Sequence, residues 1–93
     1  MTKVVWSDLA KRNLRKTVDY LFENWSLREV KNFKSKISIL TDNISGYTSI
    51  FPKSKILNLR KCFVDKNNAL IYLFENNIIY IVTIVNSRSL NQY

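Results

Sequence analysis

Read for the spacing of its apolar residues, the chain changes period part-way along. Ala10, Leu14, Val18, Leu21 and Trp25 recur at intervals of four, four, three and four, with Lys11, Arg12, Arg15, Lys16, Asp19 and Glu23 largely off that line. One apolar stripe at the 3.6-residue period predicts an amphipathic helix. Ser7 stands where an N-cap belongs, and Asp8 falls in the first turn, facing the positive end of the helix dipole. Ahead of it, Lys3-Val4-Val5-Trp6 is β-branched and aromatic, which predicts a short strand. A second helix start follows at Ser26-Leu27-Arg28-Glu29, a capping box in which Ser and the Glu three residues on satisfy orphan N–H groups. Val30, Phe33, Ile37, Leu40 and Ile44 then recur at 3-4-3-4, and the pattern stops near Gly46, the residue type best suited to a C-terminal cap. Almost no chain separates the two helices, so they fold back as an antiparallel hairpin over about residues 8–45.

Past the loop bracketed by Gly46 and Pro52, the pattern is that of strands. Ile56–Val64 mixes apolar and basic residues, as a strand with one wet face would. Asp65-Lys66-Asn67-Asn68 is turn chemistry, Ala69–Phe74 is a second strand, and Glu75-Asn76-Asn77 turns the chain into a third, Ile78–Val85. The last two are apolar on both faces and are expected at the centre of the sheet. One face would lie on the hairpin, the other on a partner or the chain's own tail. The expected fold is a two-layer α+β domain: an N-terminal strand at about 3–6, the helical hairpin, and a three-stranded antiparallel meander within about 56–86.

Composition narrows the function more than the fold. Ninety-three residues and 11.0 kDa are expected to make one domain, residues 1–93, burying roughly 60–65% of its unfolded surface. The one cysteine, Cys62, has no partner for an internal disulfide, and no basic-then-apolar leader precedes Val4, so a cytoplasmic location is expected. The longest apolar runs, Ala69–Phe74 and Ile78–Val82, are too short to cross a bilayer, and no membrane partner is expected. There is no histidine. That excludes imidazole metal sites, histidine-containing triads and the usual general base near neutral pH. A single glycine cannot build a phosphate loop, and the scattered carboxylates make a poor ligand set, so neither metal nor cofactor is expected.

Fifteen basic residues against seven acidic give a formal charge of +8, which predicts attraction to a polyanion or an acidic protein. The excess is even: residues 1–45 hold nine basic and five acidic side chains and residues 46–93 hold six and two, +4 in each part. Within the sheet half, Lys53 and Lys55 precede the first strand, Arg60 and Lys61 lie in it, Lys66 lies in the turn after it, and Arg88 follows the last strand. Tyr72, Tyr80 and Tyr93 lie in or beyond the later strands; Tyr72 and Tyr80 read as core, and Cys62 as a small buried hydrophobe. Cations and phenols suffice in principle to cleave RNA. A guanidinium stabilises the charged transition state, Lys or Tyr moves protons, and the 2′-hydroxyl supplies the nucleophile. Arg60 and Arg88 would then converge on one basic concavity. The bland alternative is that these are solvated surface charges.

Val5-Trp6-Ser7-Asp8-Leu9-Ala10, Asp19-Tyr20-Leu21, and Trp25-Ser26 followed by Val30 and Phe33 resemble the RelE/ParE family of bacterial type II toxins, most nearly its plasmid-stabilisation, ParE-like branch. Leu59-Arg60-Lys61, Asn68–Tyr72 and Ile81–Arg88 are similar to its arginine-bearing, tyrosine-bearing and terminal strands, so the resemblance runs in order along nearly the whole chain. It implies the same α+β fold and a toxin held in a hetero-oligomer by a cognate antitoxin. The free toxin would arrest growth by inhibiting DNA gyrase, the slightly favoured route, or by cutting messenger RNA on the ribosome. For the nuclease route the resemblance implies Arg60, Arg88 and Tyr93 as catalytic groups. Lys53, Lys55, Lys61 and Lys66 would contact target or nucleic acid on either route. An inactive toxin-fold module that only binds nucleic acid or protein is the alternative.

Overall fold

A computed structural model describes residues 3–46, 58–88 and Tyr93. The elements run β1 (Lys3–Trp6), α1 (Asp8–Asn24), α2 (Leu27–Gly46), β2 (Leu59–Phe63), β3 (Asn68–Glu75) and β4 (Ile78–Asn86). The strands form one sheet in the order β1-β4-β3-β2. The meander is antiparallel, Leu59 facing Leu73 and Glu75 facing Ile78. β1 joins the far side of β4 in parallel, Lys3 opposite Ile78 and Trp6 opposite Ile81. This is the two-layer α+β architecture that periodicity predicts, with the helices on one face.

The turns form where their chemistry allows. Asn76 and Asn77 have φ of 54° and 62°, the left-handed values that a two-residue hairpin of the primed type I class requires at both positions. Asp65 closes the β2–β3 turn through Oδ1, which accepts from Asn67 N at 2.8 Å and Asn68 N at 2.9 Å. Asn58 has φ 65°, so the first meander strand opens at Leu59, later than expected; Ile56 and Leu57 lie outside the described residues, as do Lys53 and Lys55.

β1 is only four residues long, and the chain leaves it by a tight junction. Ser7 N donates to Ile81 O at 3.0 Å, continuing the ladder by one rung. The Ser7 hydroxyl accepts from Ala10 N at 2.9 Å as the N-cap of α1, and donates to Val82 O at 2.6 Å. Val82 is the bulged residue of β4: Ile71 pairs with Thr83 and Tyr72 with Ile81, leaving it without an opposite number on β3. Ser7 therefore starts the helix and satisfies a carbonyl beside the bulge. One turn on, Asn13 Nδ2 donates to Thr83 Oγ1 at 2.9 Å and to Ile84 O at 3.4 Å, so α1 covers the edge of β4 that β1 leaves open.

The core lies between hairpin and sheet. Ala10, Phe33, Ile37 and Ile44 from the helices meet Cys62, Val64, Leu70, Tyr72, Ile79, Ile81 and Ile84, with Leu14, Val18, Leu21 and Leu40 packed against them. The stripe of α2 is buried as its spacing predicts. That of α1 is buried at Ala10, half-buried at Leu14, Val18 and Leu21, and open at its end, where Trp25 is 67% exposed. It caps the helix with φ −127° and ψ −110°, outside helical geometry, and so leaves the stripe. Ala69, Ile71 and Thr83 alternate with the core-facing residues of β3 and β4 and are also buried, as central strands require. Among the described residues no helix is long and apolar enough to cross a membrane.

Ser7→Ala removes the cap and strands the Val82 carbonyl, and should cost about 1–3 kcal/mol in urea melts. Ser7→Asn, which keeps a capping oxygen, should recover the cap portion. A loss below roughly 0.5 kcal/mol in the alanine variant would show that the junction bears no weight.

Candidate functional site

At the end of the sheet where β2 turns into β3 and β4 finishes, a groove of about 970 Å³ opens toward the helical hairpin. Each wall has a local cause. The Asp65 turn is tightened further by Asn68 Nδ2, which donates to Asp65 Oδ1 at 3.3 Å, and by Val64 N, which donates to Asn68 O at 2.9 Å. That leaves Lys66 exposed at its tip. Ser87 N donates to Asn67 O at 2.8 Å, tying the end of β4 to the same turn. Arg88, one residue later and exposed, is thereby set on the groove with Lys66.

The facing wall is the elbow of the hairpin. Trp25 N donates to Leu21 O at 2.9 Å, ending α1, and Ser26 Oγ accepts from Glu29 N at 3.4 Å, starting α2. Between these two caps the chain reverses, and Tyr20 and Trp25 are left on the groove wall, 59% and 67% exposed. Glu29 and Lys36 reach it from α2. The groove thus carries three cations, two carboxylates and two aromatic faces. Asp65, one of the carboxylates, spends one oxygen on the turn's own donors.

Arg60 does not line this groove. It pairs with Tyr72, four residues along β3 from the Asn68–Asn86 pair that marks the groove end, or roughly 13 Å down the strand. Alternation puts it on the same face as buried Cys62, at the sheet edge, and it is half-buried. The expected convergence of Arg60 and Arg88 on one concavity is therefore not what the described residues form: the groove joins Arg88 to Lys66 instead. Lys61, opposite Ile71, is half-buried on the other face. Tyr93 is half-buried and is not among the described residues lining the groove. The groove residues that periodicity overlooked are Tyr20, Trp25, Glu29 and Lys36. Only Trp25 carried a signal, since a residue directly before a capping serine cannot also be mid-helix.

Over residues 4–90 the chain matches the family described as the ParE toxin of type II toxin–antitoxin system, parDE. The chain belongs to the ParE toxin family. Solved structures agree on the fold. The chromosomal ParDE system from P. aeruginosa contains a chain similar at TM-score 0.78 and 11% identity, with 92% of this chain and 96% of that one covered. The YoeB–YefM complex from Staphylococcus aureus contains one at TM-score 0.63 and 17% identity, covering 91% and 95%. YafQ from E. coli is similar at TM-score 0.63 and 13% identity, covering 97% and 98%. No curated protein matches the chain.

In this ParE-family chain the lone thiol belongs to the core. Cys62 is 2% exposed, and burial pushes its pKa up from 9.0 to about 12. A nucleophilic thiol needs the opposite environment. Folding holds this proton more tightly than the unfolded chain does, so stability falls as pH rises from about 9 toward 12, by up to about 1.4 kcal/mol per pH unit. Iodoacetamide at pH 8 should leave the native thiol unlabelled and label it readily in denaturant, and Cys62→Ala should flatten the alkaline fall in the urea midpoint. Equal labelling of native and denatured protein would overturn this placement.

Proposed function

We propose that this chain is the toxin of a type II toxin–antitoxin pair, neutralised by an acidic cognate antitoxin and, when free, arresting growth by blocking DNA gyrase. Membership of the ParE family supports the toxin reading, and the ParDE and YoeB–YefM assemblies among its structural neighbours support an antitoxin partner. The charge of +8 supports an acidic one.

The observation that favours gyrase over messenger RNA is the separation of Arg60 from Arg88 along the sheet. A ribonuclease needs its transition-state cation and its proton-moving group within hydrogen-bond reach of one phosphate. Here Arg88 is in the groove, while Arg60 lies roughly 13 Å down the strand from the groove end. A groove that docks onto a protein target has no such requirement. One exposed guanidinium forming a charge-assisted bond in the complex is enough to matter.

Inducible expression in a bacterium tests this. Growth should stop, plasmid DNA should lose negative supercoils, and messenger RNA should stay intact. Tyr93→Phe should leave arrest unchanged. Arg88→Ala should weaken target binding about 10- to 100-fold and shift arrest to higher inducer. Co-expression of the product of the neighbouring gene should relieve toxicity. Messenger fragments with unchanged plasmid topology would replace this reading with the ribonuclease. Full toxicity in an Arg88→Ala, Arg60→Ala double mutant would move the active surface away from both arginines.

A further inference from the structure

Nothing among the described residues accounts for the two aromatic faces on the groove. Tyr20 and Trp25 are 59% and 67% exposed, and neither belongs to the core cluster or packs against it. Leaving two large rings in water forfeits the stabilisation their burial would bring. Across the groove stand Lys66 and Arg88, held there by the Asp65 turn and by the Ser87 N to Asn67 O bond of 2.8 Å. At about 970 Å³ the groove is at the upper end of small-ligand cavities.

Exposed aromatic faces opposite cations are the means by which proteins hold single-stranded nucleic acid. Bases stack on the rings, phosphates meet the cations, and the rings accept any base because every base has a π-face. Asn67 adds a side-chain amide on the same groove, which can pair with the edge of an unstacked base. A duplex offers phosphates but no free base faces, because these are already stacked on one another. An acidic peptide would use the cations but not the flat faces, and would be repelled by Glu29 and Asp65. Those two carboxylates offset much of the local positive charge. Stacking is therefore left to supply the greater part of the affinity, and the salt dependence should be shallow.

We infer that the groove between the hairpin elbow and the β2–β3 turn binds a single-stranded nucleic acid segment, with bases stacked on Trp25 and Tyr20 and phosphates against Lys66 and Arg88. The inference uses the same groove and Arg88 as the gyrase reading but does not rest on that reading.

The purified full-length chain supplies its own probe. Its only other tryptophan, Trp6, is half-buried against the core, so a change in emission on titration reports chiefly on Trp25. Short oligothymidylate and oligouridylate should each be titrated at low salt, and variants followed by the anisotropy of a labelled oligonucleotide. Binding should quench the emission. Log affinity should fall with log salt at a slope of about −1.4 for two phosphate contacts, and Arg88→Ala should flatten it by about 0.7. Trp25→Ala should weaken binding about 5- to 150-fold with an unchanged melting temperature, and Trp25→Phe should recover most of the loss. Tighter binding of one oligonucleotide supports the inference and identifies that sugar as the preferred one. No binding, binding unaltered by Trp25→Ala, or equally tight binding of a duplex would overturn it. So would quenching by an acidic peptide where neither oligonucleotide quenches, which would assign the groove to a protein. Loss of oligonucleotide binding with gyrase inhibition intact in the same preparation would overturn this inference alone.

Discussion

One serine connects the two layers of the molecule. Ser7 joins residues 75 positions apart, taking the start of α1 and the bulge of β4 into one set of hydrogen bonds: Ala10 N to its hydroxyl, its hydroxyl to Val82 O, and its own N–H to Ile81 O. A four-residue strand has little to hold it in a sheet, and a contact of such long range must overcome the entropy of closing nearly the whole chain. The junction answers both demands. It extends β1 by one bond and aims α1 along the open edge of β4, where Asn13 docks on Thr83 and Ile84. With α1 so placed, its inner stripe meets the sheet and α2 can close over it.

The functional geometry descends from the same placement. α1 runs toward the end of the sheet where the β2–β3 turn lies, and its terminal cap, Trp25, arrives opposite that turn. Two adjacent caps, the end of α1 and the Ser26 start of α2, leave no residues for a loop, so the elbow is sharp and Trp25 stands outside the core. On the other wall, the end of β4 is held to the Asp65 turn, and this sets Arg88 and Lys66 on one groove although they stand 22 positions apart in sequence. Two turn-forming devices, each local and cheap, thereby assemble a mixed aromatic and cationic groove.

Much of this could be read from the residues. Helices, strands and turns leave local signatures: the 3-4-3-4 stripe from Val30 to Ile44, the Asn76-Asn77 hairpin, and Ser7 and Ser26 at caps. Pairing leaves none. Lys3–Trp6 reads as a strand, yet four residues cannot say which neighbour it takes or in which direction, and the parallel match to β4 depends on where the hairpin delivers the chain. The candidate site was legible only in its parts. Arg60 and Arg88 occur on strands of one meander, but their distance depends on register, and register puts Arg60 opposite Tyr72, well away from the groove end. Lys66 reads as an ordinary turn residue and becomes a groove residue only once β4 is paired. Trp25 fits the spacing of a core stripe and is removed from it by a cap, a case of local backbone geometry overriding periodicity.

Family membership states what kind of protein this is, and the separation of its cations argues for how it acts. The most direct measurement is a supercoiling reaction with purified DNA gyrase and the purified chain. The account predicts loss of supercoiling with increasing chain and about 10- to 100-fold more Arg88→Ala protein needed for the same effect. Full supercoiling in excess chain, by a preparation that still stops growth when expressed, would contradict it.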